Sequence, residues 1–281
     1  MDSVMRLLYA CLTCLLPVFS VPTLAQDRFS IPLPTDAFPN FVSLGIGAAP
    51  DYLGSDDYFI GAAPAISLDL GPARFKMLGN WAMLDLLTDA NWTLGPAAIL
   101  RFGRTDVDDA VVSQLGNIDN TIELGVSLGY EFIAEDNPFK RLSVGVDLVH
   151  DVGGVHDDFV INAFARGIYP LPWRGGAAAV TLGITMVGDD YADTYFSVSP
   201  GQAALTGLSS FSATGGARDM RAGVGLFQSL SKNWHVGTGV LYGRMLGDAG
   251  SSPIVSGRGS RNQFIFGLGL AYTWGGILDS M

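Results

Sequence analysis

The sequence predicts an all-β protein: a single antiparallel transmembrane β-barrel of about 12 strands, with ten or fourteen as the alternative counts. Three observations predict it. Large apolar side chains alternate with small or polar ones, a period of two that belongs to strands. The chain is 48% hydrophobic and only 15% charged, yet beyond its N-terminus it has no uninterrupted apolar run long enough for a membrane helix. Its 36 glycines argue against helices and suit a narrow barrel interior.

The N-terminus is taken first. Residues 1–25 read as a secretory signal: Arg6 is basic, Leu7 to Phe19 is apolar, and Thr23-Leu24-Ala25 offers a small-residue cleavage site before Gln26. Cys11 and Cys14 fall inside it, so the mature chain is expected to hold no cysteine and no disulfide. Residues 26–40, with Pro32, Pro34 and Pro39, form an extension on the periplasmic side that cannot pair as a central strand. The barrel is expected over 41–274 and a short tail over 275–281.

Strands are predicted at 41–49 and 59–70, then at 74–79 and 81–87 around a tight hairpin near Asn80, then at 91–103. The strand at 120–133 alternates clearly: Ile122, Leu124, Val126, Leu128, Tyr130 and Phe132 on one face, Glu123, Gly125, Ser127, Gly129 and Glu131 on the other. In 139–150, Leu142, Val144, Val146 and Leu148 oppose Ser143, Gly145 and Asp147. Carboxylates on the small-residue face place Glu123, Glu131 and Asp147 in a polar lumen. Strands follow at 157–169, 176–187, 217–229 and 233–245. The last, 262–274, sets Phe264, Phe266, Leu268, Leu270, Tyr272 and Trp274 against glycine and polar residues.

The connections agree. With the first strand running outward, the periplasmic turns (71–73, 88–90, 134–138, 170–175, 230–232) are short, and most of the extracellular loops (50–58, 104–119, 151–156, 188–216, 246–261) are long. Trp81, Trp92, Trp173, Trp234 and Trp274 stand near strand ends, where interfacial anchors belong. A soluble β-sandwich would alternate too, but its second face would be Thr, Lys, Glu and Gln rather than Gly, Ser and Ala.

A formal net charge of −11, with three lysines against thirteen arginines, excludes nucleic acid as a partner. An enzyme is disfavoured. The three histidines are His150, His156 and His235; sequential pairs such as His150-Asp151 point to opposite faces of a strand, and no Gly-x-Ser-x-Gly occurs. No cofactor or metal is expected. Asp106, Asp108 and Asp109 read as a solvated loop, with Ca²⁺ as the alternative occupant. Arg101 and Arg104 are expected to pair with those acids, with contact to lipopolysaccharide as the alternative. Pro50, Asp51, Tyr52, Gly54 and Ser55 read as a constrained turn or a partner contact.

Several blocks, in order, resemble the MipA/OmpV family of outer-membrane proteins. They are Ala49–Tyr58 followed by Pro64–Leu68; Asn91–Pro96 with Arg101–Arg104 and the acids at 106–109; Ile122–Gly125; Tyr195–Ser199 through Gly215-Gly216; and Gly247–Val255, which contains Ser252 and Pro253. The resemblance implies a Gram-negative outer membrane, contact with its lipid and lipopolysaccharide, and a scaffolding role in peptidoglycan synthesis and turnover, with a lytic transglycosylase and a penicillin-binding protein as partners. It implies no catalytic residues. Two other readings stay open: a narrow channel for small solutes, and a lipid-modifying barrel enzyme.

Overall fold

The period-two pattern becomes twelve strands among the described residues, which are 38, 40–88 and 91–275 of the computed structural model. They are β1 (Phe41–Pro50), β2 (Tyr58–Asp69), β3 (Arg74–Leu78), β4 (Trp81–Asp85), β5 (Trp92–Arg101) and β6 (Thr121–Ala134). The second half is β7 (Asn137–Asp151), β8 (Phe159–Pro170), β9 (Gly176–Val187), β10 (Gly216–Ser229), β11 (Trp234–Met245) and β12 (Asn262–Thr273). Each strand pairs with its sequence neighbours, and β12 returns antiparallel to β1, from Phe41 opposite Thr273 to Ala48 opposite Phe266. The closed order leaves no edge strand to aggregate. The expected signal segment, most of the extension and the tail from residue 276 lie outside the described residues.

The hairpin at Asn80 decides the strand count. Leu78 pairs with Trp81 across a two-residue turn, Gly79 takes a φ of +59° that favours glycine, and Asn80 Nδ2 donates to the Leu100 carbonyl at 2.9 Å.

Alternation sorts the wall. Leu44, Ile46, Val224, Leu226 and Leu268 point outward, each more than half exposed, while Ser67, Ser127, Asn162 and Thr185 are buried inside. A continuous apolar outer belt is stable only in hydrocarbon. By the rule that such barrels keep short turns in the periplasm, Trp92, Trp173, Trp234 and Trp274 form an exposed girdle at the periplasmic rim. Trp81 does not join it. It stands in the inward phase with Met83 and Asp85 and is 1% exposed, so it fills the lumen.

Where strands approach closely, glycine is required. A Cβ on Gly125 would land on the Leu148 carbonyl oxygen and the Val149 backbone, neither of which can swing aside; at Gly167 nothing lies within 4 Å. Gly125→Ala should therefore cost about 1–3 kcal/mol by overpacking and Gly167→Ala much less. Urea midpoints of the two variants in detergent check this, and equal midpoints would reject the close approach.

The long loops have secondary structure of their own. Among the described residues they carry α1 (Asp189–Phe196), α2 (Pro200–Thr206), α3 (Gly247–Ser251), α4 (Pro253–Ser256) and a 3-10 turn, Val112–Leu115. These elements fold back over the extracellular mouth. Tyr191, Ala192, Phe196 and Val255 join Ile99, Val149 and Val160 of the wall in one apolar cluster. Tyr52, Val112, Leu115, Val198 and Ile254 form a second among the loops themselves.

Candidate functional site: a loop-filled outer mouth and a periplasmic vestibule

The outer mouth is built on a buried ionic network. Arg101 on β5 and Glu123 on β6 both face inward, and Arg101 makes a bidentate pair, Nε to Oε1 and Nη2 to Oε2 (2.8 Å). His156 Nε2 lies 3.0 Å from the same Oε1. His156 reaches it because Asp151 gathers the tight loop behind it: the amides of Gly153, Val155, His156 and Asp157 all donate to that one carboxylate at 2.6–3.0 Å. The Tyr191 ring of α1 lies under two guanidinium groups, Arg101 at 5.1 Å and Arg218 at 5.5 Å, and its hydroxyl accepts from Arg218 Nη1 at 2.6 Å. Arg218 and Asp219 are adjacent yet both buried, because the β9–β10 register shifts between Ala217 and Asp219. Such a bulge turns an additional side chain inward.

The loops above are tied to one another. Ser252 Oγ donates to the Phe196 carbonyl at 2.6 Å and Gln202 Nε2 to that of Leu115 at 2.7 Å. Gln263 of β12 accepts from the Gly54 amide at 3.1 Å and donates to the Ser55 carbonyl at 3.0 Å. Asp51 accepts from the Asp108 amide at 3.1 Å. The turn at Pro50–Ser55, read from sequence as a constrained turn with a partner contact as the alternative, packs into the protein's own cap: Tyr52, Gly54 and Ser55 are buried. Burial also pushes the Tyr52 and Tyr195 phenols well above the ordinary tyrosine range. Ser252 and Pro253 start α4 and serve the same seam.

Arg101 and Arg104 both turn inward and are buried, away from lipopolysaccharide. Arg101 forms an ion pair with Glu123 of the wall, whereas Arg104, expected to pair with the acids at 106–109, instead donates Nη1 to the Tyr195 carbonyl at 3.4 Å. Burial lowers the Arg104 guanidinium below its usual range. The acids themselves do not converge. Among the described residues no group of three or more His, Cys, Asp or Glu is placed to hold a metal ion.

Asp109 latches two loops, accepting from Arg258 Nη2 at 2.6 Å and from the amides of Val111 and Val112 at 2.8 and 2.7 Å. Burial alone would raise its carboxyl; the arginine and the two amides outweigh that and hold it below the usual carboxylate range. A depressed folded value stabilises above the unfolded carboxylate value of about 3.9, and the contribution is lost as pH falls through the lower folded value. Hydrogen exchange at the α4 amides should therefore stay slow from neutral pH down to about pH 4 and quicken in stronger acid. Asp109→Asn should show the quickened exchange already at pH 7; unchanged protection would dismiss the latch.

Of the acids expected inside, Glu123 and Asp147 are fully buried, and Glu131 pairs with Arg141 at 3.1 Å. The interior narrows there to a cavity of about 50 Å³ among Ser67, Lys76, Trp81, Ser127 and Arg166. Among the described residues there is more space at the periplasmic end. A vestibule of about 740 Å³ lies between the β8–β9 and β10–β11 turns, floored by Phe38, Phe139 and Phe227 and walled by Leu171, Trp173 and Leu230, with Arg174 and Lys232 at the rim. Phe38 belongs to the expected extension, yet it is buried, its ring 5.7 Å from Phe227 and 4.9 Å from His235.

A family model described as "MltA-interacting protein MipA" matches residues 42–274, the whole barrel. The chain belongs to the MipA family. This MipA-family barrel is an outer-membrane protein of the Gram-negative envelope, where closed antiparallel barrels with an apolar belt reside. A comparison with curated proteins gives no match. Among solved structures it is similar to outer-membrane expressed OmpT of Vibrio cholerae, with 7% identity over 84% of this chain and 96% of that one and a TM-score of 0.40. It is similar also to the translocator domain of autotransporter NalP from Neisseria meningitidis, with 12% identity over 97% and 95% and a TM-score of 0.39. A third is the outer membrane channel DcaP of Acinetobacter baumannii, with 10% identity over 84% and 95% and a TM-score of 0.36.

Sequence reasoning missed the Arg101–Glu123–His156 network and the inward Arg218. Histidine and arginine joined the lumen through a loop and a bulge, neither of which has a period. The loop helices did carry a signal: Ser199-Pro200-Gly201-Gln202 is a capping box with proline at the first helical turn, closed at its far end by left-handed Gly207.

Proposed function

We propose that this protein is a non-enzymatic scaffold of the outer membrane that holds enzymes of peptidoglycan synthesis and turnover against its periplasmic face. The contrast between the barrel's two ends carries the reading. The extracellular mouth is filled by loops bonded to one another, whereas the periplasmic end holds an apolar, aromatic vestibule of about 740 Å³ with a basic rim. A wall enzyme can approach only from that end. Aromatic and apolar side chains next to arginine are the composition of an interaction hot spot. The family description as an interacting protein supports a protein partner, and the partners expected from the resemblance are a lytic transglycosylase and a penicillin-binding protein.

Site-specific photo-crosslinkers test this in intact envelopes. Placed at Trp173 and Lys232 they should capture wall enzymes, identified by mass spectrometry; placed at Leu205 and Arg258 on the extracellular cap they should not. Capture from both ends alike, or from neither, would end the scaffold reading. A channel is the second reading, supported by the inward Lys76–Asp85 and Arg141–Glu131 pairs, which give the lumen polar lining. A large planar-bilayer current that changes with Glu131→Gln would favour it instead.

A further inference from the structure

Arg104 is a buried cation with no carboxylate partner among the described residues. Its backbone is fixed just beyond β5, where its amide and carbonyl pair with Ile118 at 2.8 and 3.0 Å, and its side chain is carried into the cap. The guanidinium makes the 3.4 Å contact from Nη1 to the Tyr195 carbonyl, while Nε is buried without a hydrogen-bond partner. The groups whose charge acts on it are the Tyr52 and Tyr195 phenols, and burial keeps both neutral, well above the ordinary tyrosine range. Asp109, whose charge reaches Tyr52, is itself held by Arg258. The Tyr52 and Tyr195 hydroxyls are also buried without a hydrogen-bond partner among the described residues. All three side chains line one cavity of about 10 Å³, together with Arg101 and Tyr191, and no carboxylate lines it.

A water molecule satisfies hydrogen bonds at such a place but leaves the guanidinium charge buried and uncompensated, which is the costly part. Arginine does not escape by losing its proton. The polar side-chain groups at the cavity are guanidinium N–H and phenol O–H, all of them donors, and a set of donors around a buried cation selects an anion. The volume is about that of one water-sized sphere, so it admits a single-atom ion and excludes a carboxylate, a sulfate or a phosphate. We propose that this cavity binds one halide ion, chloride in ordinary surroundings, as the counter-ion of Arg104, with the Tyr52 and Tyr195 hydroxyls donating to it. Tyr52 belongs to the turn after β1, Arg104 to the segment after β5 and Tyr195 to α1, so the ion ties three separate parts of the cap together.

The inference goes beyond the scaffold reading, and its test uses purified protein without wall enzymes, so the two fail separately. In nanodiscs, chloride is titrated against gluconate at constant ionic strength, with amide hydrogen exchange in α1 and in the Pro50–Ser55 turn as the readout. At a chloride concentration ten times its Kd, openings that release the ion should be about tenfold rarer, and exchange in both segments should slow about tenfold. Bromide should replace chloride, and crystals grown in bromide should show an anomalous scattering peak beside Arg104 Nε. Arg104→Met should abolish the response to chloride, and Tyr52→Phe, a milder change, should weaken it severalfold. Heat-modifiable migration confirms that each variant is folded; if Arg104→Met is not, Tyr52→Phe and the bromide peak decide. Equal exchange in chloride and gluconate, a chloride response that survives Arg104→Met, or no bromide peak would overturn the proposal and leave the cavity to water.

Discussion

Glu123→Ala should destabilise the barrel by about 3–5 kcal/mol, the cost of leaving a buried charge without its counter-ion. Arg101 and Glu123 are almost completely buried, and the carboxylate receives both ends of the guanidinium fork as well as His156. Arg101 also carries Tyr191 of α1 on its face, so the same loss should loosen the cap as well as the wall. The double variant Arg101→Met/Glu123→Leu should recover most of the stability, because a well-packed apolar pair often matches a buried ionic one. Urea titrations followed by heat-modifiable migration, with proteolysis of loop 188–216 as a readout of the cap, measure both effects. If Glu123→Ala unfolds at the wild-type midpoint, or if the double variant is the worse of the two, the ionic network does not hold the outer mouth.

Leu268→Arg is the counterpart on the lipid side. Leu268 lies mid-strand in β12, paired with Ile46 of β1 and Thr238 of β11, and points out of the barrel. Arginine at that depth costs about 2–4 kcal/mol in a bilayer. Gly267, one residue away, faces the lumen; its replacement by alanine should cost far less. Folding yields into lipid vesicles compare the two, and the gap should shrink in detergent micelles, where the outer surface is less demanding. Comparable yields in vesicles would reverse the assigned faces of β12, and with it the closure register between Phe41 and Thr273.

Much of this was legible in the residues. The twelve strands, the hairpin at Asn80 and the inward set Glu123, Glu131 and Asp147 follow from a period of two, and the structure moves the strand bounds by at most two residues. The period works because a wall one strand thick has only two sides, one facing lipid and one facing the lumen, so each residue's neighbour in sequence reports its solvent. Phase, however, outranked composition at Trp81: a tryptophan near a strand end suggested the interface, but its phase turned it into the lumen.

The candidate site was less legible, for a different reason. Arg101 meets Glu123 across a strand pair, but His156 reaches them only after the loop folds around Asp151, and Arg218 only through a bulge. Asp51 and Asp108, or Asp109 and Arg258, stand far apart in sequence and meet above the mouth. By itself the sequence determined the wall, its sidedness and its membrane, because strand pairing between neighbours is local and the belt's solvent is uniform. Only the tertiary structure decided that, among the described residues, loops fill the outer end while a vestibule stands at the periplasmic end, because loops have no repeating pattern and their partners are chosen by which side chains can bury together across the barrel mouth.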